Sequence, residues 1–94
     1  MLTQNEIDII IKTLQPYNPK RIGLFGSVAR NEETEKSDID ILYTFNTPVS
    51  LFGLVDMQMA LENNLKKGVD LVSENAIHPL LKEGILSDLK IIYG

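Results

Sequence analysis

Residues 21–45 read RIGLFGSVARNEETEKSDIDILYTF, and this stretch decides the fold. It opens with a short apolar run at residues 21–25 and closes with a second one at residues 39–45. Between them, residues 31–37 contain no apolar side chain. Short apolar runs bounded by glycine and polar residues are typical of buried strands. The stretch therefore predicts two strands, joined by a short helical turn at residues 27–30 and a solvated loop.

The segment before this stretch predicts a helix from Thr3 to Leu14. Thr3 and Glu6 have the spacing of a capping box, and the isoleucines that follow recur at helical intervals. Two prolines, Pro16 and Pro19, then end the helix.

The segment after it predicts two helices and two strands. One helix is capped by Ser50 and another starts at Pro79, while short apolar runs at residues 69–72 and 89–93 predict strands. Although one edge of it, or the last helix, could instead meet a partner, the apolar stripe of the first of these helices is expected to face the core. Its members are Leu51, Leu54, Val55, Met57, Met59, Leu61 and Leu65. The alternation of helices and strands predicts an α/β (α+β) domain with helices packed on a sheet, and leaves open which strands run parallel.

Length and composition restrict the class of protein. Ninety-four residues predict a single domain spanning 1–94, and 44% hydrophobic with 23% charged residues is ordinary for a globular chain. The net charge of -4 argues against broad binding to nucleic acid or to an anionic membrane. The chain has no cysteine, no signal peptide pattern and no apolar run long enough for a membrane span, so a soluble, cytoplasmic protein is expected.

Five residues form the candidate site. Asp38 and Asp40 project from one face of a strand, about 6.5–7 Å apart along the chain, and Asp70 lies in the next strand. Carboxylates gathered on one face repel each other unless a hard cation such as Mg²⁺ compensates them. Gly26 permits close backbone approach to a ligand, and Ser27 offers a hydroxyl and helix-start N–H groups to phosphate. The set predicts a nucleoside triphosphate bound with magnesium.

Other charged residues nearby are weaker candidates. Arg30 is a candidate phosphate ligand, with a solvated role weighted equally, whereas Lys36 is expected to be solvated. His78, the single histidine, precedes Pro79 and is expected to serve at a helix entry. Because His78 is remote in sequence from Ser27, a serine hydrolase is disfavoured.

The residues Gly26-Ser27, ten intervening positions and Asp38-x-Asp40 resemble the signature of the DNA polymerase β-like nucleotidyltransferases. The wider string at residues 25–42 resembles the minimal nucleotidyltransferases, or MNT-domain proteins, over nearly the whole chain. The resemblance implies a small nucleotidyltransferase fold with a mixed sheet of about four strands. It also implies transfer of AMP from ATP to a hydroxyl with release of pyrophosphate, assisted by two Mg²⁺ ions held by Asp38, Asp40 and Asp70.

The same resemblance implies a partner. Many such proteins are antitoxins of a HEPN-domain toxin, in type VII-like toxin–antitoxin pairs, and some modify a toxin tyrosine with AMP. An alternative is a non-catalytic antitoxin that neutralises its partner by complex formation. A third possibility, modification of a small molecule, is less favoured because no second domain is expected to enclose one. Either a homo-oligomer or a hetero-oligomer is compatible with the sequence.

Overall fold

A computed structural model describes residues 2–94. Four helices and four strands follow one another along the chain, in agreement with the predicted alternation. They are α1 (Gln4–Leu14), β1 (Pro19–Phe25), α2 (Gly26–Ala29), β2 (Ile39–Phe45), α3 (Leu51–Leu65), β3 (Val69–Ser73), α4 (Pro79–Asp88) and β4 (Lys90–Tyr93). Two 3₁₀ turns, at Gln15–Tyr17 and Glu74–Ala76, were not predicted.

The four strands form one mixed sheet in the order β3-β2-β1-β4. β1 is antiparallel to both β2 and β4, whereas β2 and β3 are parallel. The parallel pair follows from the connection, because α3 crosses over between β2 and β3 and returns the chain to the same end of the sheet. This pairing aligns Asp40 of β2 with Asp70 of β3.

The main core lies between one face of the sheet and helices α1 and α3. Alternate residues of the central strands enter it, and burial of each large apolar side chain contributes about 1.5–3 kcal/mol. Its buried members are Leu2, Ile10, Leu14, Ile22, Leu24, Val28, Ile39, Ile41, Met57, Leu61, Leu65 and Val69.

The second face of the sheet is covered mainly near β1. Helix α4 contacts β1 and α2, and Leu89, just after α4, packs against the backbone of Gly23. A Cβ at Gly23 would lie 2.5 Å from Cδ1 of Leu89, so this contact depends on the absence of a side chain. Asp40 and Asp70 share this second face.

The helix caps agree with the sequence. Thr3 and Glu6 form the predicted capping box, and the Ser50 hydroxyl accepts the Gly53 N–H at the start of α3. Nδ1 of His78 accepts the Leu80 N–H at 3.1 Å, which is the predicted helix-entry role.

The prediction that the apolar stripe of α3 faces the core is confirmed for one side of the helix and wrong for the other. Met57, Leu61 and Leu65 are buried, whereas Leu51, Val55 and Met59 are exposed. The sheet covers only one side of α3, and its apolar residues spread over a wider arc than the sheet can contact. None of the helices described is both long and apolar enough to cross a membrane.

Candidate active site

Three carboxylates meet on the second face of the sheet. Asp40 lies in β2 directly beside its parallel neighbour Asp70 in β3, and Asp38 comes immediately before β2 on the same side. Asp38 and Asp70 are exposed, and Asp40 is partly buried. The structure therefore brings together the three acids that the sequence singles out.

The first residue after β1 has to be a glycine. Gly26 has a φ of 72°, in the left-handed region that disfavours residues with a Cβ. A Cβ at this position would also overlap the Oδ2 atom of Asp40. Gly26 thus allows the backbone at the start of α2 to lie directly against the carboxylate of Asp40.

A second glycine, Gly68, lies against the carboxylate of Asp38 in a similar way. A Cβ at Gly68 would overlap Oδ1 of Asp38, and the Gly68 carbonyl accepts the Ile39 N–H at 2.9 Å. Just beyond, the Glu62 carboxylate accepts the Val69 N–H at 3.0 Å, which ties α3 to the first residue of β3. These contacts fix the strand ends from which Asp38 and Asp70 project.

The electrostatics of the site centre on Asp40. Partial burial raises the pKa of Asp40, and the negative charges of Asp70 and Asp38 raise it further. The Arg30 guanidinium acts in the opposite direction. The three acids are therefore close enough to repel one another, and Arg30 is close enough to offset part of the repulsion.

Apart from the nearby charge of Arg30, the three carboxylates have no direct partner among the described residues. Within residues 2–94, none of the side chains of Asp38, Asp40 and Asp70 accepts a hydrogen bond or forms an ion pair. No three acidic or histidine side chains in this range are already arranged as a cage for a metal ion. The donor set, oxygen atoms with uncompensated negative charge, nevertheless suits a hard divalent cation.

Ser27 lies in the single helical turn of α2, next to Gly26. Its side chain is half-buried, and its hydroxyl makes no hydrogen bond with other described residues. A hydroxyl that the protein leaves unused at this position is suited to a polar ligand.

Arg30, at the end of α2, is held by two acids. Its Nε donates to Oε1 of Glu32 at 2.7 Å, and Nη1 donates to Oδ2 of Asp88 at 2.5 Å. The hydrogen bonds to Glu32 and then Asp88 raise the pKa of Arg30, so the guanidinium stays charged. Arg30 is thus an exposed cation that is paired with two acids and lies near the carboxylate group.

Sequence reasoning missed both partners of Arg30. Glu32 was assigned to a solvated loop, although its separation of two residues from Arg30 is a usable signal. Asp88 is 58 residues away from Arg30, and only the fold brings it near. Lys36 is exposed, as expected, and Arg21 pairs with Glu74.

Comparison with known proteins identifies the same class. The family model described as "Polymerase beta, Nucleotidyltransferase" matches residues 8–94. A Methanocaldococcus jannaschii protein named as a candidate protein adenylyltransferase is 49% identical over 84% of this chain and 85% of its own. Protein adenylyltransferase MntA of Thermococcus cleftensis is 32% identical over 95% of each chain.

Solved structures agree with the predicted fold. A candidate minimal nucleotidyltransferase superposes with a TM-score of 0.80 at 32% identity, covering 93% of this chain and 89% of that one. A chain from a toxin–antitoxin crystal structure with AMP-PNP gives 0.83 at 26% identity, covering 99% and 74% respectively. The resemblance and the small α+β fold predicted from the sequence are thereby confirmed. The chain belongs to the polymerase β nucleotidyltransferase family, and it is a nucleotidyltransferase.

Proposed function

We propose that this nucleotidyltransferase moves AMP from ATP to a hydroxyl of a partner protein, a tyrosine of a HEPN toxin, and so acts as the antitoxin of a type VII-like pair. The observation that carries the proposal is the group of three unpaired carboxylates beside Gly26 and Ser27. The naming of relatives as protein adenylyltransferases supports the donor and the type of acceptor. The toxin–antitoxin structure with AMP-PNP supports both the nucleotide and the partner.

We assign binding of the nucleoside triphosphate to Gly26, Ser27 and Arg30. The backbone at Gly26 can approach the triphosphate closely, and the unused Ser27 hydroxyl can donate to a phosphate oxygen. Arg30 supplies a positive charge, and its planar guanidinium group is suited to hydrogen bonding with phosphate oxygens. Together these groups would orient the triphosphate with its α-phosphorus near the carboxylates.

The carboxylates would hold magnesium. Asp38, Asp40 and Asp70 are the residues we assign to Mg²⁺, two ions in the full site, because Arg30 offsets only part of their mutual repulsion. When bound, magnesium neutralises the charge that develops on the attacking and leaving oxygens.

The chemical step is a displacement at phosphorus. The acceptor hydroxyl oxygen forms a bond to the α-phosphorus of ATP, and the bond from that phosphorus to the bridging oxygen of pyrophosphate breaks. Pyrophosphate leaves with the electron pair of the broken bond. We assign Asp70 to orient the hydroxyl and accept its proton, because Asp70 is more exposed than Asp40, its neighbour on the adjacent strand.

Labelled ATP tests the proposal directly. The protein is incubated with Mg²⁺, ATP labelled on the α-phosphate, and the HEPN protein encoded beside it. Label is expected on a tyrosine of the partner, located by mass spectrometry, and is expected to be lost with an Asp38→Ala, Asp40→Ala double variant. An unlabelled partner, or equal labelling by the double variant, contradicts the proposal.

A second function, neutralisation by binding alone, is favoured by one observation. Leu51, Phe52, Val55 and Met59 expose apolar surface along one side of α3, the kind of surface that protein partners cover. This function predicts that the double variant protects cells from the toxin as well as the wild type does. Protection that disappears with the carboxylates, while complex formation persists, favours the enzyme.

The remaining features of the proposal concern setting. We infer that residues 1–94 act as one nucleotidyltransferase domain in the cytoplasm, where ATP and Mg²⁺ are available. The acidic overall charge of -4 agrees with an acceptor that is protein rather than nucleic acid.

A further inference from the structure

The contact between Arg30 and Asp88 joins two distant parts of the chain. Asp88 is the last residue of α4, and Arg30 follows α2, which opens with the Gly26-Ser27 turn. The distance from Nη1 of Arg30 to Oδ2 of Asp88 is 2.5 Å. The Asp88 side chain is mostly buried, at 23% exposure, whereas the Arg30 side chain is 47% exposed.

The donors of Arg30 are divided in a definite way. Nε is used by Glu32 and Nη1 by Asp88, while Nη2 makes no hydrogen bond or ion pair with any residue from 2 to 94. A guanidinium held on two sides by carboxylates has lost most of its rotational freedom, and its third nitrogen still has two N–H groups to donate. The positive charge of Arg30 also lowers the pKa of Asp40, so the guanidinium as a whole lies near the carboxylates.

We propose that Asp88 is a positioning residue for the nucleotide: it holds the Arg30 guanidinium so that Nη2 is available to a phosphate oxygen. The inference rests on the proposed function, because it assumes that a nucleoside triphosphate occupies the site. Asp88 itself carries a negative charge and is not expected to touch the nucleotide. Its effect passes through Arg30, since an ordered side chain loses less entropy when it binds.

Net charge alone predicts the opposite result, which makes the test decisive. ATP is an anion, so removal of any nearby acid should strengthen its binding if only long-range charge matters. Loss of a positioning contact should weaken it instead. The sign of the change in ATP affinity therefore separates the two effects.

The experiment measures the dissociation constant of ATP with Mg²⁺ by calorimetry, together with KM and kcat for AMP transfer. Asp88→Ala is expected to weaken ATP binding and raise KM roughly two- to fivefold, the range for one exposed charged contact, with kcat within about twofold. Asp88→Glu keeps the carboxylate and is expected to retain most of the affinity. Glu83→Ala, an exposed acid on the same helix, is the control with the same charge change, and is expected to bind ATP at least as tightly as the wild type.

A double variant shows whether Asp88 acts through Arg30. Arg30→Ala is expected to weaken binding more than Asp88→Ala does, and adding Asp88→Ala to it should cause no further loss. Should Asp88→Ala melt well below the wild type, Asp88→Asn provides the same comparison with a smaller packing change.

Several outcomes overturn the inference. Unchanged or tighter ATP binding by Asp88→Ala would show that Asp88 does not position Arg30, or that it competes with phosphate for it. Additive losses in the double variant would show an effect that does not pass through Arg30. If the wild type itself fails to bind ATP, the proposed function fails and the inference fails with it. Normal wild-type binding beside an unchanged Asp88→Ala overturns the inference alone.

Discussion

The two faces of strand β2 differ in their surroundings: one packs into the hydrophobic core, and the other presents acids of the candidate site. Ile39 and Ile41 are fully buried against α1 and α3, whereas Asp38 and Asp40, one position out of step, lie on the opposite face. On the first face, these isoleucines pack within the hydrophobic core. On the second face three carboxylates repel one another, and none of them forms a side-chain hydrogen bond or ion pair within the described residues. Because side chains alternate along a strand, the rigid core directly holds the acids in place.

The two sides of helix α3 are expected to differ in stability in the same way. Truncation of a side chain on its buried side should cause a large loss of unfolding free energy, and truncation on its exposed side almost none. Leu61→Ala, at a fully buried position of α3, is expected to cost about 2–5 kcal/mol of unfolding free energy. Leu51→Ala on the same helix makes the same chemical change at a side chain that is 74% exposed, and should stay within about 0.5 kcal/mol. Urea unfolding of both variants measures the difference. Equal losses at the two positions would contradict the burial pattern of α3.

The opposite response is expected from the second face. Asp40→Asn should lower the rate of AMP transfer by roughly 10²–10³-fold, as loss of one preorganised electrostatic group does in other enzymes. Its melting temperature should equal or exceed that of the wild type, because the substitution relieves burial and repulsion of a carboxylate. Asp56→Asn, an exposed acid on α3, is the matched control and should change neither quantity. A marked fall in melting temperature for Asp40→Asn would show that the acid is structural.

Local sequence patterns were sufficient to predict part of the second face. Asp38-Ile39-Asp40 places two acids on one side of any strand, and the glycine before Ser27 marks a turn, so both features follow from local rules. The parallel alignment of Asp40 with Asp70 needed the topology. It also needed the crossover by α3.

Two features depended on long-range contacts that local patterns do not specify. Helical periodicity showed that α3 has an apolar side, but the width of that side exceeds the area the sheet can cover, so Val55 and Met59 remain exposed. The partner of Arg30 was equally out of reach, since Asp88 lies in a different helix and only the packing of α4 against α2 brings it close.

Substitution of Gly26, in the turn after β1, is expected to have a smaller effect, on both stability and activity. Gly26→Ala is expected to lose about 1–2 kcal/mol of stability, because its φ of 72° is strained for alanine, and to lose activity as the new Cβ displaces the Asp40 carboxylate. Gly84→Ala is the control in the opposite sense. A Cβ at Gly84 meets nothing within 4 Å, so this helical position should gain about 0.5–1 kcal/mol.

Unfolding curves and transfer rates of the two alanine variants test this pair. Losses of similar size in both would contradict the assignment of the Gly26 loss to its left-handed φ and its contact with Asp40. A stable Gly26→Ala with full activity would show that the turn and the Asp40 carboxylate are not coupled.

The smallest effect concerns magnesium in the absence of nucleotide. If the second face is destabilised by its own charges, a divalent cation should stabilise the folded protein even without ATP, by about 1.4 kcal/mol at tenfold excess over its dissociation constant. Thermal unfolding in MgCl₂ and in NaCl of equal ionic strength measures this gain while holding general screening constant. The gain should vanish in Asp38→Asn, Asp40→Asn, since that variant removes two of the three acids, and should persist in Leu51→Ala. An equal gain in the double variant would place the ion elsewhere on this acidic protein, whereas no gain in the wild type would mean that the carboxylates gather a cation only together with the triphosphate.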